Sequence, residues 1–278
     1  MKNILNKVKI NYYTYYFLIL CFFCGLIKNV LILFMIVILH EIGHVITTLL
    51  CKYKIEKVEI FPFGGITTIN KLINSSIIKD ILIAISGVLF QYTTVLLITN
   101  FYDFMPNTLE LINYYNKTIL VFNLLPIIPL DGSKILEALF NKLFSYKLSY
   151  YLTIFISIIG ILLFINYNVV YSLNNYLIVG VLIFNTFKYF KEFKYTFNKF
   201  LLERIMYDLP YKRIVNNTRN IKELKKERLH YFKINNKYIN EKEKIAKKFD
   251  KDTYFWYDLN VWKGFPFQPH LTGFRKTI

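Results

Sequence analysis

The sequence predicts an all-α polytopic membrane protein with about six transmembrane helices, a short membrane-associated strand or re-entrant loop, and a small basic α+β cytoplasmic tail. Three observations predict this. First, 55% of the 278 residues are hydrophobic and 18% aromatic, although the formal net charge is +17. A nucleic-acid-binding module carries such charge on a more polar chain, so no nucleic-acid partner is expected. Second, the apolar residues gather in runs long enough, at about 1.5 Å per residue, to approach or cross a hydrocarbon core of roughly 30 Å. Third, the charge is uneven: residues 1–188 hold 14 basic and 8 acidic residues, and residues 189–278 hold 21 and 10. The chain therefore divides into a transmembrane domain (1–188) and a basic cytoplasmic C-terminal domain (189–278). Three cysteines (Cys21, Cys24, Cys51) are too few for a disulfide scaffold, and the apolar content excludes a disordered chain.

The six runs cover residues 12–27, 29–50, 77–100, 117–130, 150–165 and 169–187. The first and fourth are short for a span. No small-residue cleavage site follows the first run, where Phe22, Phe23 and Cys24 stand, so it is retained as a span rather than a signal peptide. Cytoplasmic loops are enriched in Lys and Arg. An inside N-terminus puts Lys2, Lys7 and Lys9, the loop bearing Lys52, Lys54, Lys57, Lys71 and Lys79, the loop bearing Lys134, Lys142 and Lys147, and the tail on one side. Only Lys28 and Lys117 fall opposite. Both termini are then cytoplasmic in a multi-pass protein of the cell membrane.

The second run reads LILFMIVILHEIGHVITTLL. His40 and His44, four apart on a helix, share one face at a separation suited to a single ion, with Glu41 beside them. In such an H-E-x-x-H arrangement two imidazoles hold Zn²⁺ and the carboxylate takes a proton from water. The competing reading is a buried hydrogen-bond cluster. Ionisable groups inside a span cost at least about 2.5 kcal/mol when charged, which favours a functional reason for their presence.

A catalytic zinc needs a third protein ligand. Thr47 and Leu50 stand where a metzincin would have Gly and His, Glu56 and Glu59 come too early for a glutamate ligand on a later helix, and His230 and His270 lie in the tail. Asp131 remains, in FNLLPIIPLDGSKILEAL. Counted from the outer edges of their runs, His40 and Asp131 lie at similar depth. Pro126 and Pro129 each remove a backbone donor, so the helix must bend or break before Asp131 and aim its carboxylate into the bundle. An ordinary interfacial turn at Asp131-Gly132 is the alternative.

HEIGH in one span and NLLPIIPLDG in a later one resemble the motifs of the site-2 proteases, intramembrane zinc metalloproteases of peptidase family M50. The likeness covers about residues 10–190. It is nearest to the subgroup that frees a sporulation sigma factor from its pro-sequence, since no PDZ-sized insert intervenes. The resemblance implies one Zn²⁺ on His40, His44 and Asp131, Glu41 as general base, and Asn123 as a polar residue contacting substrate or intermediate. FPFGGI at 61–66 is similar to the family's membrane-associated strand, where Gly64 and Gly65 would let an extended substrate segment approach the backbone; a plain surface loop is the other reading. Ser133, Val88 and Gln91 depart from the family's common Gly, Pro and Asn.

The implied activity is hydrolysis of a peptide bond in or next to a membrane segment of a protein substrate, possible pro-sigma or anti-sigma processing included, in a bacterial cell membrane or an internal membrane of a sporulating cell. A metal transporter or an inactive protease-like scaffold is the rival class. The tail opens with FKYTFNKFLLERI, amphipathic and basic enough to lie on anionic lipid headgroups. It continues with two alternating runs around Asn235-Asn236, read as a hairpin, and a charged helix at EKEKIAKKF. A regulatory or substrate-docking role is expected of it, and a regulatory membrane protein is a further expected partner.

Overall fold

The computed structural model describes residues 8–61, 64–168, 173–234 and 237–251. Strand β1 (Val8–Ile10) leads into α1 (Tyr12–Phe23) and α2 (Ile27–Leu50). A hairpin of β2 (Lys54–Phe61) and β3 (Gly64–Asn70) precedes α3 (Ile77–Phe101) and α4 (Pro106–Leu124). Helices α5 (Asp131–Leu143), α6 (Tyr146–Asn168) and α7 (Leu173–Met206) follow. The tail adds β4 (Arg213–Thr218), a 3-10 turn (Ile221–Glu223), β5 (Arg228–Ile234), β6 (Lys237–Asn240) and α8 (Glu241–Lys251).

Among the described residues, three helices are long and apolar enough to cross a membrane: Ile27–Leu50, Ile77–Phe101 and Tyr146–Asn166. Their outward side chains, such as Leu89, Leu97, Leu162 and Leu163, are exposed, as a lipid-facing surface requires. Helix α1 rises only about 18 Å over its 12 residues. The run read as 117–130 is corrected. Its helix begins at Pro106, with proline at a position that needs no backbone donor, and ends at Leu124. Residues 125–130 are non-helical because Pro126 and Pro129 cannot continue the ladder, and a new helix starts at Asp131. The run read as 169–187 begins in residues outside those described; its remainder is the first part of α7, whose 34 residues rise about 51 Å in all and carry the helix past residue 188 into the tail.

The expected membrane-associated strand is a hairpin within a three-stranded sheet of order β1-β2-β3. Strand β1 pairs parallel with β2 (Val8 opposite Val58), and β2 pairs antiparallel with β3 (Phe61 opposite Gly64, Ile60 opposite Gly65). Strand β3 is an edge of that sheet and packs on α2.

The amphipathic stretch after residue 189 does not turn its apolar face to a leaflet. Phe197, Phe200, Leu201 and Leu202 are buried in a core shared with Tyr146, Tyr150 and Ile154 of α6 and with Leu224, Phe232, Ile245 and Phe249 of the tail. Tyr146 stacks on Phe200 at 4.3 Å between ring centroids. Removing these aromatic and aliphatic groups from water outweighs inserting them singly into an interface. The turn at Asn235 and Asn236 lies outside the described residues, as does His270, while the flanking β5 and β6 pair antiparallel and α8 matches the charged helix.

The tail also grips the ends of α5 and α3. Lys225 Nζ and Arg228 donate to the carbonyls of Leu143 and Lys142 at the C-terminus of α5, at 2.8 and 3.3 Å. Glu227 accepts the N–H of Ile77 at the N-terminus of α3, at 3.1 Å, and Lys226 pairs with Asp80 at 2.9 Å. Lys225, Arg228 and Glu227 each meet the helix end whose orphan groups and dipole favour their charge, whereas Lys226 is held by the first-turn carboxylate of Asp80. Arg204, fully buried, pairs with Glu241 at 2.8 Å and also donates to Asn74 and to the carbonyls of Lys225 and Arg228. These bonds satisfy both terminal nitrogens of the guanidinium, as a buried ion pair needs to be tolerated, while its buried Nε has no hydrogen-bond partner among the described residues.

His230 on β5 is 1% exposed and held as a neutral ring. Its Nε2 accepts the N–H of Lys225 at 3.1 Å, which leaves Nδ1 to donate to Thr218 Oγ1 at 2.8 Å. Burial, then the nearby Arg204, Arg228 and Lys225 charges, lower its pKa from the ordinary 6.5 to about 4. The unfolded chain therefore binds a proton that the folded tail refuses, and stability falls as pH drops from about 6.5 towards about 4. Thermal unfolding of the solubilised protein should show a lower midpoint at pH 5 than at pH 7, with the difference reduced in His230→Gln.

Candidate metal centre

Three helices assemble the site. Helix α2 carries His40 and His44 one turn apart and buried, with ring centroids 4.7 Å apart and planes at 84°. The break at 125–130 lets α5 start afresh with Asp131, 3% exposed, in its first turn, where a carboxylate suits the helix dipole. The Asp-Gly pair opens a helix and is not the alternative interfacial turn. His40 Nε2 lies 2.9 Å and His44 Nε2 3.0 Å from Asp131 Oδ2, and the two Nε2 atoms are 3.0 Å apart.

Hydrogen bonds on the far side of each ring decide what these atoms are. His44 Nδ1 lies 2.7 Å from the carbonyl of Ile83, which can only accept, so Nδ1 carries the proton. His40 Nδ1 lies 3.1 Å from Gln91 Oε1. The Gln91 amide nitrogen donates to the backbone carbonyl of Asn116 at 3.1 Å and to its Oδ1 at 2.9 Å, so the amide oxygen faces His40, whose Nδ1 is again the donor. In the neutral rings both Nε2 atoms are therefore lone-pair donors, directed with Asp131 Oδ2 at a common point. Three such contacts cannot all be hydrogen bonds: even two imidazolium rings would leave the contact between Nε2 atoms with no acceptor. A cation relieves the repulsion. Two imidazoles and a carboxylate are the donor set of a catalytic zinc, and these are the grouped His, Cys, Asp or Glu side chains among the described residues that could ligate one. The residues fit the ion.

The structure draws His40, His44 and Asp131 together and sets Glu41 alongside. The Glu41 carboxylate, half-buried, accepts a hydrogen bond from Thr67 Oγ1 of β3 at 3.2 Å. Gly65 has a local reason different from substrate approach alone: a Cβ there would sit 2.4 Å from Glu41 Cγ and 2.5 Å from its Cδ. Gly65→Ala should displace the carboxylate and lower turnover by about tenfold or more, with zinc content near wild type; equal turnover of the two proteins would count against that contact. Gly64 lies at the start of β3 opposite Phe61. Asn123 donates to the carbonyl of Ile119 in its own helix at 3.0 Å, a bond that stays within α4 and does not reach the cluster. The second oxygen of Asp131 accepts from Lys134 Nζ at 2.7 Å.

A model of peptidase family M50 matches residues 28–108 and 100–167, which together span half of the chain. The chain belongs to peptidase family M50. It is a membrane zinc metalloprotease of the site-2 type, and zinc is its cofactor. It is 27% identical over 209 residues to stage IV sporulation protein FB of Bacillus subtilis, a match covering 73% of this chain and 72% of that protein. It is 31% identical over 122 residues to a zinc metalloprotease of Methanocaldococcus jannaschii, covering 42% of this chain and 35% of that one. The solved site-2 protease of Methanocaldococcus jannaschii is 26% identical, with a TM-score of 0.48, over 66% of this chain and 89% of that structure.

Several groups of this peptidase site leave little or no trace in the sequence. Gly87 is one lone glycine in an apolar run, yet a Cβ there would lie 2.4 Å from His44 Nε2 and 2.9 Å from His40 Cε1, so only glycine leaves α3 room beside both rings. Gln91 stands out in the sequence only as a departure from the family's common Asn, which assigns it no role. Thr67 and Asn116 carried no signal at all, since a lone Thr on a strand and a lone Asn on a helix are ordinary.

Proposed function

We propose that this peptidase cleaves a peptide bond in or next to a membrane segment of a protein substrate, with His40, His44 and Asp131 holding zinc and Glu41 acting as general base. The observation that carries this reading is the set of three lone pairs converging within 3.0 Å beside a glutamate. When bound, the ion supplies Lewis acidity for water activation and carbonyl polarisation. The chain's own residues do the rest. Gln91 and the Ile83 carbonyl keep both Nε2 atoms deprotonated and aimed inward. Thr67 holds the Glu41 carboxylate, which accepts a proton from the attacking water and returns it to the leaving amine. The β3 edge beside Glu41 suits an extended substrate segment, which would pair through its backbone with Gly64 and Gly65 near the hairpin end. Asn123, near the end of α4, serves the substrate or intermediate once one is bound.

Six spans with both termini cytoplasmic, and the division at residue 188, complete the reading. The lysine distribution supports that orientation. The similarity to a sporulation protein favours a membrane-associated pro-sigma factor as substrate, and the tail, with lysines facing anionic headgroups, would serve regulation or substrate docking. The experiment is co-expression with single-span and pro-sigma candidates, comparing wild type with Glu41→Gln for a shortened product. Metal flux without any cleavage would instead place the chain among transporters.

A further inference from the structure

A chain of buried hydrogen bonds runs away from the metal centre through the membrane domain. Gln91 sits on α3 with no exposed surface. A primary amide in that position has no water to satisfy it, and each of its polar atoms must find a partner inside the protein. It does so across three helices. Oε1 accepts from His40 Nδ1 of α2 at 3.1 Å, and Nε2 donates to both the backbone carbonyl and Oδ1 of Asn116 on α4, at 3.1 and 2.9 Å. Asn116 is itself buried.

The two imidazoles are held in different ways. His44 leans on the carbonyl of Ile83, which belongs to the backbone of α3 and is set by the helix. His40 leans on a side chain, and a side-chain amide can present either end. If the nitrogen of Gln91 faced His40, Nδ1 would have to accept, the proton would move to Nε2, and the ligand atom would be lost to the ion. What prevents this is the backbone carbonyl of Asn116, an obligate acceptor that fixes the amide's orientation. Position 116 thereby sets position 91, and position 91 sets the tautomer and ring angle of His40.

We propose that Gln91, oriented by Asn116, is the positioning residue for the metal ligand His40, keeping Nε2 deprotonated and directed at the ion. The proposal rests on His40 being a zinc ligand and adds to that reading a requirement for a hydrogen-bond acceptor at position 91. Partners of ligating imidazoles tune metal affinity by about 10–100-fold. Gln91→Met keeps length and volume but replaces the amide with a thioether. Gln91→Glu restores an oxygen acceptor to His40, and in the protonated form that burial favours, its O–H takes the place of the amide N–H as donor to the Asn116 carbonyl.

The test is zinc affinity of the full-length, detergent-solubilised protein, measured by chelator competition, with the absorption spectrum of the Co²⁺-substituted protein as a second readout. Gln91→Met should bind zinc about 10–100-fold more weakly than wild type and alter the Co²⁺ spectrum. Gln91→Glu should recover most of the loss. Asn116→Ala, which keeps the backbone carbonyl, should produce a smaller loss and guards against a Gln91→Met protein that fails to fold. Wild-type affinity in both Gln91→Met and Asn116→Ala overturns the proposal while leaving the zinc site standing. Equal loss in Gln91→Met and Gln91→Glu also overturns it, because shape rather than the acceptor would then matter. A wild type that takes up no zinc, in company with His40→Ala, removes the metal centre and this inference with it.

Discussion

Exchanging Glu41 for glutamine should lower the cleavage rate by about 10²–10⁴-fold and leave bound zinc at the wild-type level. The substitution alters one atom. Glutamine retains an oxygen able to accept from Thr67 Oγ1, now 3.2 Å from the carboxylate, and retains the volume beside Gly65. It cannot take a proton from water at neutral pH. Glu41 is also outside the group of side chains that converge on the ion, so metal content and turnover separate. Zinc per chain, read by atomic spectroscopy, and the yield of shortened substrate check both halves. A glutamine variant with undiminished proteolysis would refute the assignment of the base.

Replacing Asp131 by alanine should remove zinc and cleavage together. Its Oδ2 lies 2.9 and 3.0 Å from the two Nε2 atoms, and it supplies the anionic member of the set. Without it two neutral nitrogens remain, too few for a catalytic site. Loss of a first-turn carboxylate from α5 also costs about 0.3–1 kcal/mol in the helix dipole, a small effect beside the loss of a ligand. Asp131→Asn keeps the shape and halves the argument: it should fold as wild type and still hold zinc much more weakly. Zinc retained by the alanine variant after dialysis against a chelator would show that the third ligand lies elsewhere.

Much of the site could be read from residue order because its parts are local or chemically unusual. His40 and His44 belong to one helical face by period alone, and imidazoles in an apolar run stand out. Asp131 was reachable because two prolines mark where a helix must stop, and the structure ends α4 at Leu124 and begins α5 at Asp131. The start of α4 at Pro106 was not reachable in the same way. Residues 106–116 contain Asn, Thr, Glu and Tyr, which hide a helix from a hydropathy reading although the backbone continues through them. The stretch after residue 189 misled for a related reason. An amphipathic helix shows that it has an apolar face but not what covers it, and here the cover is α6 and the tail.

By itself the sequence determined that this is a membrane-embedded peptidase with an H-E-x-x-H helix, an aspartate after a proline break, and a basic tail, because composition and short spacings act through the local backbone. Only the tertiary structure decided which atoms of His40 and His44 converge with Asp131, since that choice rests on Gln91 and Ile83, 51 and 39 residues away along the chain. It also decided why Gly65 and Gly87 are glycines, and that the tail holds the ends of α3 and α5. Hydrogen bonds and close approaches between distant segments depend on three-dimensional distance, and separation along a chain does not encode it.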